Sequence, residues 1–246
     1  MKEHKNFYGT IIAFLLTIVL VLAGNSTLSA EVLFGDDFEQ DNFDEKWTTF
    51  SNWKVKGKGG NRFAEKLDEA GQVDLEIKDF VLKAPFSLQM RLNQVGADAG
   101  AHVAVYTLRN PFMGYIYGFN NGGAVEFNDI GGKLGRVVFA WKVGADTWVT
   151  YKIQAEIGAI GFIKSAKCYY QIEGEKDFTL SHEIKDVGIE HKEVFIGLWV
   201  GSTVRVDDVY VWEGVNKSLE EALTVFSHRK LSTFWGTIKN REDRKY

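Results

Sequence analysis

The sequence predicts an all-β fold: a two-sheet antiparallel jelly-roll sandwich with a short helical tail. Three observations predict it. Apolar and polar residues alternate with a period of two almost everywhere after residue 30. Glycine-rich breaks punctuate the alternation, at Gly57–Gly60, Asn120–Gly123 and Gly131–Gly132. The alternating runs follow one another with no helical period between them, which argues for strands packed in two layers.

Taken in order, the chain opens with an export pattern. Lys2 and Lys5 precede an apolar run from Ile11 to Ala23, and Leu28-Ser29-Ala30 stands where cleavage is expected. As a helix, that run of 13 residues spans about 20 Å, short of the roughly 30 Å of a membrane core. Residues 1–30 are therefore read as a signal peptide. The protein is expected to be secreted, or held at the cell surface or in the periplasm. Strands are predicted at 33–39, 52–56, 72–79, 86–94, 101–108, 114–120, 124–129, 136–143, 147–157, 162–173, 178–184, 194–200 and 204–212. In 72–79, Val73, Leu75 and Ile77 alternate with Asp74, Glu76 and Lys78, so one face is read as core and the other as solvated. Residues 31–213 form the predicted sandwich. Residues 214–246 form a basic, partly helical tail. Ser218 and Glu221 have capping-box spacing, and Leu219, Ala222, Leu223 and Phe226 form one apolar stripe. Leu231, Phe234, Trp235 and Ile238 make a second apolar group, which a protein partner or the sandwich itself is expected to cover.

Charge and cysteine content narrow the function classes. The chain has 246 residues and a net charge of −4. The tail carries seven Lys/Arg against four Asp/Glu, which leaves the body more acidic than the whole. An acidic body argues against nucleic acid as a partner. Cys168 is the only cysteine, so no intramolecular disulfide forms, and its place in an alternating run reads as a buried apolar side chain. His102, His182, His191 and His228 are scattered without metal-ligand spacing.

Two segments carry a family resemblance. Leu33–Trp47 with Trp53-Lys54-Val55 resembles the opening of laminin G-like and concanavalin A-like jelly rolls. Val194–Val200 with Val204–Val211 resembles their closing pair of strands, and Trp148–Ile153 is similar to an internal strand of the same group. The resemblance implies carbohydrate or cell-surface binding, and that group also includes a branch of 3-keto-disaccharide hydrolases. It implies first and last strands that pair, removing two exposed sheet edges.

Candidate site residues follow. Glucanases on such a scaffold carry two or more carboxylates on one strand face. The nearest match here is Glu126-Phe-Asn128-Asp-Ile130, where asparagine replaces the central acid, so no catalytic residue is expected, and if the chain is an enzyme Glu126 or a nearby acid is the candidate. Non-catalytic carbohydrate binding or surface adhesion is therefore expected ahead of hydrolysis of modified disaccharides, with a structural protein-interaction module as a third class. Sugar binding uses aromatic faces flanked by amides and carboxylates, which points to Tyr106, Arg109, Tyr115, Tyr117, Asn120, Glu126, Asn128, Trp141 and Trp199. Tyr115, Tyr117 and Phe119 share one face of their strand and are read as facing the ligand. Asp36, Asp37, Asp207 and Asp208 converge if the termini pair, which makes them the candidate ligands of a structural calcium ion.

Overall fold

The structure is a computed structural model. It describes residues 30–224, apart from 59, 68–72, 83–84, 96–99, 110–111, 121–122, 131–134, 143, 158–162, 186–193 and 201–202, and apart from the side chains of 94, 107–109, 139–142, 157 and 163–164. The sandwich belongs to the compact unit that starts at Glu31.

Strands of alternating polarity bury one face each, and two sheets close over the buried faces. One sheet has eight strands: β1 (Val32–Asp36), β3 (Trp53–Lys56), β4 (Phe63–Lys66), β6 (Phe86–Gln94), β11 (Trp148–Ile157), β12 (Ile163–Ile172), β13 (Thr179–Lys185) and β15 (Val204–Glu213). Its order is β13-β12-β11-β6-β15-β4-β3, with β1 also beside β15. The other sheet has seven: β2 (Trp47–Thr49), β5 (Val73–Ile77), β7 (Ala101–Arg109), β8 (Phe112–Phe119), β9 (Ala124–Ile130), β10 (Gly135–Lys142) and β14 (Phe195–Val200). Its order is β10-β9-β8-β7-β14-β5-β2. The pairings are antiparallel, as the alternation predicts.

The first and last strands do pair: Val32 lies opposite Trp212 and Asp36 opposite Val209. In β15, Val204 and Val206 point inward, then Val209 and Val211 do. The parity changes because β15 carries an irregularity between Asp207 and Tyr210, where Asp208 takes φ +48. Two consecutive aspartates stand at that bulge.

Between the sheets lie Leu88, Met90, Tyr151, Val206 and Val211 from one side and Val103, Phe119, Phe127, Ile196 and Leu198 from the other. Cys168 is buried among them, and burial pushes its thiol pKa up.

β2 and β4 were not predicted. β2 has only three residues, and in β4 the run Phe-Ala-Glu-Lys buries Ala64, Glu65 and Lys66 together, so no alternation shows. Lys66 is fully buried and its Nζ lies 2.6 Å from Asp74 Oδ2. Asp74 is therefore a buried ion-pair member and not part of a solvated face. A short helix at Phe43–Lys46 also precedes β2.

The tail begins as predicted. Residues 219–224 are helical. Glu221 N donates to Ser218 Oγ at 3.2 Å, and Ser218 N donates to Glu221 Oε2 at 2.7 Å. Ala222 is buried, and Trp212 Nε1 donates to the Lys217 carbonyl at 3.1 Å. The start of the tail thus packs on the sandwich. Phe226 and the second apolar group lie outside the described residues, as does the signal region.

Candidate functional site

The outer face of the seven-stranded sheet carries an open cleft of about 510 Å³. The strand register explains how it forms. One row across this face runs Trp199 (β14), His102 (β7), Gly118 (β8) and Glu126 (β9). Gly118 has no side chain, and a Cβ there would meet the Ala101 carbonyl oxygen at 2.1 Å. His102 and Glu126 stand two strands apart, roughly 9–10 Å between backbones. With Gly118 between them, their side chains reach across, and His102 Nε2 lies 2.9 Å from Glu126 Oε1.

Glu126 is buried and its carboxylate is heavily hydrogen-bonded. Oε2 accepts from Asn120 Nδ2 at 3.2 Å and from Arg136 Nε at 2.8 Å, and Arg136 Nη2 bonds it as well. Asn120 is itself fixed by the β8–β9 turn, where its Oδ1 accepts from Ala124 N at 3.1 Å. Burial alone would raise the Glu126 pKa. The hydrogen bond and charge of His102, then the hydrogen bonds of Arg136 and Asn120, outweigh it and bring the pKa to about 2. His102 is buried, and its Nδ1 has no hydrogen-bond partner among the described residues.

An aromatic group adjoins this polar centre. Trp199 meets Phe112 edge to face at 4.7 Å, and Phe112 packs on Tyr106 at 5.4 Å. The buried Tyr106 donates its hydroxyl to Glu76 Oε2. Ile116, Asn128 and Ile130 complete the cleft wall.

Of the sequence-predicted residues, Asn120, Glu126, Asn128 and Trp199 come together here. Tyr106 lies on the same face but is buried in its aromatic cluster. Tyr115 and Tyr117 do not face the cleft, which corrects the expectation. Both belong to the core between the sheets: Tyr115 stacks on Phe127 at 5.6 Å and Tyr117 meets Tyr151 edge to face at 5.3 Å. Tyr117 reaches across the core so that its hydroxyl lies 2.6 Å from Ser181 Oγ. The reason is steric. Gly114 and Gly118 occupy the outer face of β8, where β7 backbone stands in the place of their Cβ atoms. The strand is thus turned with its glycines outward and its rings inward. The side chains of Arg109 and Trp141 lie outside the described residues. His102 and Arg136 were not singled out by sequence; Gly118, opposite His102 and Glu126, is the signal for His102, while Arg136 comes from β10, opposite Asn128.

Each of the four aspartates proposed for calcium has a partner within the protein. Asp36 is buried, with Oδ2 accepting from Trp47 Nε1 at 2.6 Å and Oδ1 from Lys46 Nζ at 3.0 Å. Asp37 Oδ1 caps the Glu39 amide, and Asp207 and Asp208 face Arg91 at 3.4 and 3.9 Å. Among the described residues no three His, Cys, Asp or Glu side chains form a metal-holding group.

Among the described residues the cleft does not pair Glu126 with a second outward carboxylate on β9. A carboxylate held ionised down to about pH 2 is no general acid. Most glycoside hydrolases place a second carboxyl group roughly 5–9.5 Å away. Outward neighbours on β9 are Asn128 and Ile130, and Asp129 faces inward and is buried. Glu76 on β5 lies four strand spacings from β9, about 19 Å.

The fold has relatives among solved structures. It is similar to a protein with a galectin-like fold from Bacillus subtilis, with a TM-score of 0.51 at 9% identity, covering 76% of this chain and 98% of that one. It is also similar to the GH43 BlXynB protein from Bacillus licheniformis, with a TM-score of 0.50 at 12% identity, covering 72% of this chain and 38% of that one. Domain 4 of the GH43 extracellular arabinanase AbnA from Geobacillus stearothermophilus, in complex with arabinotriose, matches with a TM-score of 0.46 at 10% identity, over 79% of this chain and 98% of that domain. The chain thus spans about two fifths of the GH43 BlXynB protein. At these identities the likeness is one of fold alone, a β-sandwich. The chain matches no protein-family profile and no curated protein.

Proposed function

We propose that this chain is an exported carbohydrate-binding domain that holds a glycan on the outer face of its seven-stranded sheet without cleaving it. The observation that carries this is the juxtaposition in one cleft of the Trp199 ring with Asn128 and the Glu126–His102–Arg136–Asn120 group. Sugars present an apolar ring face and a rim of hydroxyls, so they suit an aromatic surface beside fixed amide, imidazole and guanidinium groups. Arg136 is half-exposed, leaving part of its guanidinium free for ligand while Glu126 holds it in place. Export rests on Lys2, Lys5 and the Ile11–Ala23 run.

The test is a glycan array with residues 31–246, followed by titration of the best binder. Trp199→Ala is expected to weaken binding by about tenfold or more, the scale of losing 1–3 kcal/mol of stacking and burial. Intact glycan recovered after prolonged incubation supports binding without turnover. Turnover that disappears in Glu126→Gln establishes instead the hydrolase reading, of the 3-keto-disaccharide kind. No glycan signal at all favours an adhesion module for protein.

A further inference from the structure

A second cleft lies on the opposite side of the sandwich, between the outer face of the eight-stranded sheet and the helix at 219–224. Its volume is about 780 Å³, within the range of sites for small organic ligands. Its floor is set by register: Gln89 (β6), Lys152 (β11) and Tyr169 (β12) form one row across the outer face. Trp212 lies beside them, and Leu219 and Leu223 of the helix form the far wall with Phe178 facing them.

Lys152 is the unusual group. Its ammonium lies 4.0 Å from the centroid of the Phe178 ring and 4.7 Å from that of Tyr169. Among the described residues no carboxylate pairs with it, whereas Arg91, Arg136, Arg205, Lys46, Lys56 and Lys66 each have one. Lys176 also lines the cleft, and Glu220 is the acidic group on the helix side. We propose that this cleft binds a small organic anion, a carboxylate borne on a ring with an apolar face. Its carboxylate pairs with Lys152, and its ring lies against Phe178, Leu219 and Leu223. Two general facts support this. A cation flanked by rings and lacking a counter-ion gains most from an anion that brings its own apolar body. Burial also lowers the Lys152 pKa, a cost that a bound carboxylate offsets. Two sources share this chemistry, an aromatic acid and a uronic-acid saccharide.

Calorimetric titration of the full chain with cinnamate, cinnamyl alcohol and trigalacturonate tests the proposal. At least one of the two acids is expected to bind. If cinnamate is that acid, it binds about tenfold or more tighter than the alcohol, the worth of a charge-assisted contact. Lys152→Met abolishes that advantage, Lys152→Arg retains most of it, and Leu223→Glu, on the helix wall, weakens binding by setting a like charge opposite. Binding of cinnamate identifies an aromatic acid, and binding of trigalacturonate alone identifies an acidic saccharide. Three results overturn the proposal: neither acid binds, the alcohol binds as well as cinnamate, or acid binding is unchanged in Lys152→Met. That last outcome places any saccharide on the other sheet.

Discussion

On the outer face of the seven-stranded sheet, Glu126 is ringed by His102, Arg136 and Asn120. On the outer face of the eight-stranded sheet, Lys152 has two aromatic rings and no carboxylate partner among the described residues. Both charges are partly withdrawn from water, and their pKa values respond oppositely. Glu126 is held in its charged form, to about 2, because its donors outweigh burial. Lys152 is pushed toward its neutral form by burial. A saturated charge acts as a frame that fixes its neighbours, whereas an unsaturated one is a receptor. The outer face of β8 makes the first possible by supplying glycines, and the side chains of Gln89 and Tyr169 enclose the second.

The core contains the limiting case, a charge pair with no access to water, and it carries the largest expected effect. Lys66 and Asp74 join β4 of one sheet to β5 of the other at 2.6 Å. Asp74→Ala leaves Lys66 buried and unpaired, and is expected to cost about 3–5 kcal/mol. For a domain of this size that is a fall in Tm of roughly 6–20 °C. Replacing both by apolar residues, Lys66→Met with Asp74→Leu, is expected to recover most of that loss. A double variant as unstable as the single one would show that the pair holds the sheets in a way packing cannot replace.

Next in size is Glu126→Gln. It leaves His102 and Arg136 with a weaker acceptor in a buried place, a loss of about 1–3 kcal/mol. The pH dependence sharpens the comparison. Glu126 is more acidic folded than unfolded, so its contribution is complete above about pH 5 and disappears as pH falls through 4 toward 2. Denaturant melts of wild type and Glu126→Gln should therefore converge at pH 2 to 3. A gap that stays constant from pH 7 to pH 2 contradicts the charged frame.

Much of the architecture was legible because it rests on patterns that survive without coordinates. The alternation of β5, β6 and β11 and the pairing of the end strands are visible in one dimension, whereas the β15 bulge at Asp208 is not. The site was only half legible. Glu126 and Asn128 share the outer face of β9, as expected, because Val125 and Phe127 on its other face pack in the core. Tyr115 and Tyr117 were misplaced because β8 has apolar residues on both faces, and periodicity alone does not say which is inner. The decisive fact there is the close approach of β7 backbone to Gly114 and Gly118, a three-dimensional constraint. Lys66 and Asp74 were missed for a similar reason: a buried charge is explicable only once its partner is known.

The paired aspartates on β15 give a third, smaller effect of opposite sign. Burial first, then the adjacent Asp208 carboxylate, pushes Asp207 up to about 7, with Arg91 at 3.4 Å only partly opposing. An acid with a raised folded pKa holds a proton that the unfolded chain releases. Its stability contribution is therefore lost as pH rises from about 4 to 7. Asp207→Asn is expected to raise Tm at pH 8 and to leave it unchanged near pH 4. A gain of about 1 kcal/mol would read as roughly 2–4 °C. No pH dependence would mean that Arg91 already neutralises the site.

The smallest effect returns to the receptor side. The helix at 219–224 builds one wall of the Lys152 cleft, and its start depends on Ser218. The hydroxyl accepts from Glu221 N, and Glu221 in turn accepts from the Ser218 amide. Ser218→Ala removes the hydroxyl half of this box, an expected loss of about 1 kcal/mol confined to the first turn. A cap lost from a helix that merely decorates the surface frays that helix and touches nothing else. A cap lost from a helix that carries Leu219 and Leu223 over Lys152 opens the cleft. Ser218→Ala should then bring the Lys152 pKa closer to that of a free lysine, because burial is what lowers it. Side-chain NMR titration of that ammonium separates the two cases. A normalised Lys152 in a protein whose Tm has dropped by only about 2–4 °C shows that the helix encloses the charge. An unchanged Lys152 shows that the two rings alone do.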